Sequence, residues 1–322
     1  MAKLTVKIAK RTDEAIGIVS FELVDPAGKE LPCFTAGDHI DVHCNSGRVR
    51  QYSLFNSCTE RYRYCIAVLE LVDGRGGSSH MHTLQEGDLL EISAPRNAFK
   101  LVESGTYSLL LAGGIGITPL LSMAWHLWNT GQRFDFHYFA RTQKRAAFCE
   151  QLRGAPFAAH MHFHFDDEPA NFQVDLDALL ANSWTPGTHL YVCGPSGFMD
   201  RAVGVATDCW PDGAVHTERF DASAQFSEAA IQNNQPFQII LASSGAMLEV
   251  PSNSSILRVL QANGINVPMS CEQGVCGTCL VDVIEGKPEH RDSFQTKEEH
   301  STNRQIAVCC SRACSPVLKL NL

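Results

Sequence analysis

The sequence predicts a multidomain chain: an antiparallel β-barrel, an α/β domain on a doubly wound parallel sheet, and a small α+β domain that binds metal. Three observations predict it. Residues 1–102 read as short strands broken by Gly- and Pro-bearing turns, the pattern of an antiparallel barrel. From Thr106 onward, continuous apolar runs alternate with helix-like stretches, as in a parallel sheet covered by helices. Near the C-terminus, three cysteines crowd into SCEQGVCGTC. A chain of 322 residues has room for two to three domains at ~100–150 residues each.

In the barrel, Lys3–Lys10 alternates apolar and polar residues, and Ile16–Val24 does so less strictly. His39–Cys44, Gln51–Asn56, Tyr62–Leu69 and Asp88–Ser93 are the further strands. The second domain opens on Ser108–Ala112 (SLLLA), an apolar run suited to a strand buried on both faces. A Gly-rich turn and a helix over Pro119–Asn129 follow. FDFHYFA, MHFHF, HLYVC and AVHTERF are the remaining strands. Helices are expected between them at Arg145–Arg153, Asp175–Ala181 and Gly197–Thr207. Ala222–Gln235 is polar and weakly patterned and reads as a linker. Beyond it come a strand pair, Phe237–Leu241 and Met247–Val250, and a helix over Ser254–Ala262 with Ser254 as its cap. The expected domains are therefore 1–102, 103–222 and 236–322, with a linker at 223–235.

The charge balance excludes one class of partner. Lys and Arg number 26 against 35 Asp and Glu, a net charge of −9, so the basic excess that nucleic-acid binding needs is missing. Most of the acidity falls in residues 103–222 and reads as a solvated surface. No run of 18 apolar residues exists, so no spanning helix and no membrane partner are expected. The N-terminus, MAKLTVKIAKRTDE, carries charges where a signal peptide needs an apolar core. Thirteen cysteines, an odd number, then argue for reduced thiols in the cytoplasm, some of them bound to metal.

Cys271, Cys276 and Cys279 stand in C-x4-C-x2-C, and Cys309 follows after 29 residues, the spacing of a plant-type 2Fe–2S site. One loop must wrap tightly for three thiolates to converge, and Gly274 and Gly277 allow that. Zinc loops use C-x2–4-C pairs, and only the second gap fits one. Cys310 and Cys314 are left as non-ligands, and the remaining cysteines scatter without ligand spacing.

Four further stretches suit a flavin and a nucleotide. Arg50, Gln51, Tyr52 and Ser53 lie in RQYSL on a barrel strand, offering a cation for phosphate, a flat aromatic and a small hydroxyl. Gly76, Gly77 and Ser78 form a turn that can present backbone N–H groups to a phosphate. In AGGIGITP, the glycines Gly113, Gly114 and Gly116 follow a buried strand and permit close approach of a pyrophosphate. Thr118 can cap the next helix and Pro119 suits its first position. Pro119 also replaces the last Gly of G-x-G-x-x-G. Cys193, Gly194 and Pro195 lie at the end of the fourth strand, on the sheet edge where such folds bind ligands. In HMHFHF, His160, His162 and His164 share one strand face, and an amphipathic strand is simpler than a metal site there.

From about Phe237 to Leu322 the chain resembles a plant-type ferredoxin, which implies a β-grasp fold and one 2Fe–2S cluster. RQYSL, GRGGS, AGGIGITP and YVCGPSGFMD resemble the ferredoxin–NADP reductase superfamily. With the ferredoxin part attached, all 322 residues resemble the phthalate dioxygenase reductase family. The resemblance implies FMN, NADH and transient electron transfer to a terminal Rieske-type oxygenase or aromatic O-demethylase, from a monomeric reductase. It implies that Arg50, Ser53, Gly76, Gly77 and Ser78 hold the flavin phosphate and ring edge and that Tyr52 packs on the ring. Phe220 would lie where nicotinamide enters. Thr118, Cys193, Gly194 and Pro195 would line its path, so Ser53, Cys193 and Phe220 stand nearest the chemistry, with Glu218 behind them. Arg141, Lys144 and Arg145 could suit NADPH by charge. Asp166 and Asp167 would repel a 2′-phosphate, and NADH is expected. A diiron hydroxylase or a cytochrome P450 as acceptor, or a redox sensor without turnover, are the alternatives.

Overall fold

The computed structural model describes residues 3–44, 49–71, 77–169, 174–220, 234–269, 274, 277–292 and 294–322. Gly76, Cys271, Cys276 and the expected linker up to residue 233 lie outside them. The chain divides into two compact units, 1–220 and 221–322.

The first unit opens with β1 (Lys3–Ala15), β2 (Ile18–Val24), β3 (Asp38–His43), β4 (Val49–Ser53), β5 (Tyr64–Leu69), β6 (Leu89–Ser93) and the short β7 (Arg96–Asn97). They pair antiparallel in the order β4-β3-β6-β1-β2-β5, with β7 on β3. A bridge from Leu54 to Ile66 joins the two ends of that path and closes the barrel, which leaves few open edges. Val6, Ile8, Phe21, Leu23, Ile40, Val42 and Ile92 fill it. Helix α1 (Gly77–Thr83) plugs one end with the fully buried Met81.

The parallel sheet consists of β8 (Tyr107–Gly113), β9 (Phe134–Ala140), β10 (Met161–Phe165), β11 (Thr188–Cys193) and β12 (Val215–Glu218) in the order β10-β9-β8-β11-β12. The central β8 explains its unbroken apolar run. Leu110 and Ala112 face α2 (Ile117–Asn129), which packs Leu120, Met123 and Ala124 on one side. Leu109 and Leu111 face the opposite layer, α4 (Leu176–Ser183) and α5 (Ser196–Cys209), through Leu180, Met199 and Ala202. Between them α3 spans only Cys149–Arg153. The helix expected from Arg145 is interrupted because Phe148 takes a left-handed conformation (φ 65°).

The second unit pairs β14 (Met247–Val250) with β13 (Phe237–Leu241), then β19 (Val317–Leu320), β15 (Leu280–Glu285) and β17 (Gln305–Ala307), with β16 (Pro288–Glu289) and β18 (Arg312–Ala313) apart. β13 and β19 run parallel and their outer neighbours antiparallel, the mixed sheet of a β-grasp fold. The helix Ile256–Ala262 packs Ile256, Leu257 and Leu260 into the core. Its cap is Ser255, whose hydroxyl accepts the Arg258 N–H at 3.2 Å, so Ser254 stands one residue too early to serve. Arg312 donates to the carbonyls of Ser254, Gln235 and Pro251 and ties three segments together.

Burial makes four histidines of the first unit poor bases. Desolvation pushes His39, His164 and His216 down to about 4 and His137 to about 3. In HMHFHF, His164 Nε2 meets His137 Nδ1 at 2.9 Å and its ring stacks on Phe139, so this strand does pack as an amphipathic element. Folded, these side chains resist protonation; unfolded, they accept it near pH 6.5. Their contribution is therefore intact above pH 6.5 and is lost as pH falls toward 3–4. The melting temperature of this unit is expected to drop by about 5 °C or more between pH 7 and pH 5. A calorimetric melt that is flat or rising toward acid would contradict this.

Candidate functional site

Strand β4 carries the RQYSL residues to the boundary between barrel and parallel sheet. Ser53, almost wholly buried, pairs with His39 across β3. Its Oγ donates to Glu218 Oε2 at 3.1 Å, joining the barrel to the last residue of β12. Glu218 keeps a partial opening to solvent, yet desolvation outweighs the Ser53 hydrogen bond and pushes its carboxyl up to about 7. A serine and a carboxyl poised near neutrality can hold or exchange a proton at that junction.

The neighbouring side chains divide as strand alternation demands. Tyr52 packs on the barrel core, and burial pushes its phenol well above the usual range. The Gln51 amide turns to β3, donating to Asp41 Oδ1 at 3.0 Å and lying 3.1 Å from His39 Nε2, while Arg96 donates to Asp41 Oδ2 at 2.5 Å. That network holds β4 in register; Asp41 and Arg96 are 55 residues apart and no spacing in the sequence announces them. Arg50 lies across the start of α1, where a Cβ on Gly77 would meet its Nε at 2.7 Å. Arg50 therefore sets its guanidinium beside the first turn of α1, a setting suited to an anion. The Ser78 hydroxyl accepts the Leu71 N–H at 3.0 Å.

The glycine turn after β8 differs from expectation. A Cβ on Gly116 would fall 2.3 Å from the Cys193 carbonyl oxygen, and one on Gly113 would lie 2.9 Å from Pro195 Cδ and 3.3 Å from Gly194 Cα. These glycines are needed first for the AGGIG and CGPSG loops to interlock. Gly114 alone of the three has open space above it. Helix α2 starts at Ile117, with Gly116 as its N-cap. Pro119 is thus its third residue, and the Thr118 hydroxyl donates to the Ile115 carbonyl at 3.2 Å instead of capping. Cys193 is fully buried in the same apolar cluster on which the part-buried Phe220 packs. Ala140 pairs with Phe165 at the end of β9 and β10, so the exposed Arg141 and Asp166 leave the same sheet edge on adjacent strands.

In the second unit Cys279 and Cys309 are each only 3% exposed. The Cys309 thiol lies within hydrogen-bonding reach of Cys279 and Cys310, and those thiols, with burial, push it far up. Such a cluster of buried sulfurs ionises only if a cation neutralises it, which fits an iron–sulfur group. Gly274 (φ 78°) packs against Cys310 and Asp292, where a Cβ would lie 2.6 Å from Cys310 Sγ. Cys310 thus lies against the cysteine loop, a proximity its position beside Cys309 did not reveal.

Residues 239–314 match the model of the 2Fe-2S iron-sulfur cluster binding domain. The chain is 46% identical over 318 residues to the vanillate O-demethylase oxidoreductase of Pseudomonas putida, covering 98% of both. It superposes on the solved structure of a phthalate dioxygenase reductase, described as a modular structure for electron transfer from pyridine nucleotides to [2Fe-2S], with a TM-score of 0.76 at 40% identity. The match covers 100% of this chain and 98% of that one. The chain belongs to the phthalate dioxygenase reductase family. It is an oxidoreductase with the family's flavin- and nucleotide-type domains and a ferredoxin domain. A self-sufficient cytochrome P450 monooxygenase contains a similar segment, with a TM-score of 0.84 at 34% identity over 99% of this chain and 41% of that one. The Ser53–Glu218 bridge and the Cys279–Cys309 pair are two places where side chains of this member converge. Among the described residues no helix is long and apolar enough to cross a membrane.

Proposed function

We propose that this protein is the reductase component of an oxygenase system, taking electrons from NADH through FMN and a 2Fe–2S cluster to a terminal Rieske-type oxygenase for an aromatic acid. The observation that carries this reading is the Ser53–Glu218 bridge, which sets a barrel hydroxyl and a near-neutral carboxyl at the meeting of two ligand-binding folds. A bound flavin accepts hydride and releases electrons singly, and an iron–sulfur cluster relays them; that is the chemistry the two groups supply.

The chain's residues divide the remaining work. Arg50, with Gly77 and Ser78 at the start of α1 and the preceding Gly76 of the same motif, binds the flavin phosphate. Tyr52 supports the ring, Gln51 braces its strand, and Ser53 orients the reactive edge through its hydroxyl. Phe220 shields the site where nicotinamide enters. Gly113, Gly114 and Gly116, Thr118 and Pro119, with Cys193, Gly194 and Pro195, form the floor under the dinucleotide. Arg141 and Asp166 read its adenosine end, and the Asp166 carboxylate disfavours a 2′-phosphate. Cys271, Cys276, Cys279 and Cys309 hold the cluster. The working domains are 1–102, 103–222 and 236–322, and the protein acts as a cytoplasmic monomer.

A cytochrome P450 acceptor is the second reading, favoured by the similar segment within a self-sufficient P450. Reconstitution decides between them. The full chain with NADH should drive a Rieske oxygenase acting on vanillate or phthalate, with kcat/KM for NADH at least ~10-fold above that for NADPH, a difference of about 1.4 kcal/mol. Coupling only to a P450 would reverse the acceptor, and a higher kcat/KM with NADPH would overturn the cofactor assignment.

A further inference from the structure

The segment after β16 and the helix Lys297–Thr302 bring together three side chains that the electron-transfer reading does not use. Ligand atoms of His290, Asp292 and His300 all lie within 4.8 Å of one another. Asp292 Oδ1 is 3.2 Å from His300 Nε2 and 3.9 Å from His290 Nδ1. The two imidazoles stack, with centroids 4.4 Å apart and planes 16° from parallel. The Asp292 side chain is fully buried, that of His290 is 9% exposed, and that of His300 is 25% exposed. Both facing ring nitrogens, His290 Nδ1 and His300 Nε2, are buried without a hydrogen-bond partner.

The surroundings fix what these atoms offer. Asn303 directs its Nδ2 toward the Ser301 carbonyl and its Oδ1 toward His290 Nε2, at 3.2 Å. An amide oxygen accepts, so His290 uses Nε2 as a donor there and turns Nδ1 toward the carboxylate, where it is available to a metal ion. Asp292 is held in place because its Oδ2 accepts the Gln295 N–H at 3.0 Å. Asp292 Oδ1 also accepts from the Ser311 hydroxyl at 3.5 Å, a weak contact that leaves a buried carboxylate in need of positive charge beside it. Two imidazole nitrogens and a carboxylate oxygen, with one imidazole anchored through its other nitrogen, are the donor set that suits zinc-class ions. Three protein ligands leave one coordination position of a tetrahedral ion for water.

We propose that His290, Asp292 and His300 form a binding site for one divalent metal ion of the zinc class, distinct from the cysteines that hold the cluster. The site abuts the cysteine loop. The Phe294 N–H donates to the Gly274 carbonyl at 3.2 Å, and Asp292 Cα would lie 3.0 Å from a Cβ on Gly274.

The test uses the full chain with its flavin and cluster, freed of adventitious metal and titrated with Zn2+ against a chromophoric chelator. One Zn2+ per chain is expected, with iron content and the visible spectrum unchanged. His300→Gln, a change at a part-exposed helix position, should weaken that binding on the order of 10–100-fold. Serine at the exposed Cys33 and Cys314 should leave it unaltered. Absence of stoichiometric binding, equal affinity in His300→Gln, or zinc uptake that expels iron would each overturn the site. Zinc-edge X-ray absorption of the unmutated protein gives a reading independent of any variant: a nitrogen and oxygen shell supports the assignment, and a sulfur shell refutes it.

Discussion

Cys309→Ser is expected to abolish electron delivery to the terminal oxygenase, by ~100-fold or more, while NADH:ferricyanide turnover through the flavin continues. Serine has nearly the shape of cysteine but offers no thiolate, and the buried sulfur pair of Cys279 and Cys309 has no other charge to give an iron. The visible absorbance of the cluster should disappear with the activity. Cys310→Ser provides the contrast. Its thiol is buried and directed toward the Ala307 carbonyl at 3.7 Å, so its loss should spare both the cluster spectrum and oxygenase coupling. If Cys310→Ser removed the cluster and Cys309→Ser did not, the fourth ligand would have to move by one residue.

The second large effect is expected at the bridge between barrel and sheet. Glu218→Gln should slow NADH:ferricyanide turnover on the order of 10-fold, about 1.4 kcal/mol, and should flatten its pH profile. In the unmutated protein the Glu218 carboxyl, raised to about 7 by desolvation, is protonated below that pH and charged above it. An inflection in kcat near pH 7 should therefore be present in the original protein and absent in the glutamine variant. Ser53→Ala should produce a comparable loss. The double variant should lose less than the two effects added, because each side chain acts through the other. Persistence of the inflection in Glu218→Gln would assign it to a different group.

The fold was legible because its signals are local. SLLLA announced a strand covered on both faces, and the structure divides its leucines between two helical layers. Alternation in the first hundred residues announced the barrel strands, with ends moved by a few residues. What the sequence hid depends on three-dimensional register. Nothing in the spacing said that Phe148 would turn left-handed and shorten α3, or that Asp41 and Arg96 would meet behind Gln51. AGGIG suggested a phosphate cradle, yet two of its glycines are small because another loop of the same chain presses on them. The candidate site follows the same rule. RQYSL was readable as a motif, whereas the proximity of Ser53 to Glu218 spans 165 residues and exists only in the folded chain. His290 and His300 carried no signal at all, because ten residues and a helix start separate them.

The interlocked loops after β8 and β11 have a practical corollary for redesign. Since Gly116 faces the Cys193 carbonyl and Gly113 faces Gly194 and Pro195, the two turns can change only as a matched set. Arg141 and Asp166 sit beyond that lock, exposed after the adjacent strands β9 and β10, where substitution disturbs no interlock of this kind. If these residues read the dinucleotide as proposed, its selectivity could drift, or be engineered, at the ends of β9 and β10 while the interlocked turns stay fixed. The molecule separates what it can afford to vary from what it cannot, and the seam runs between β8 and β9.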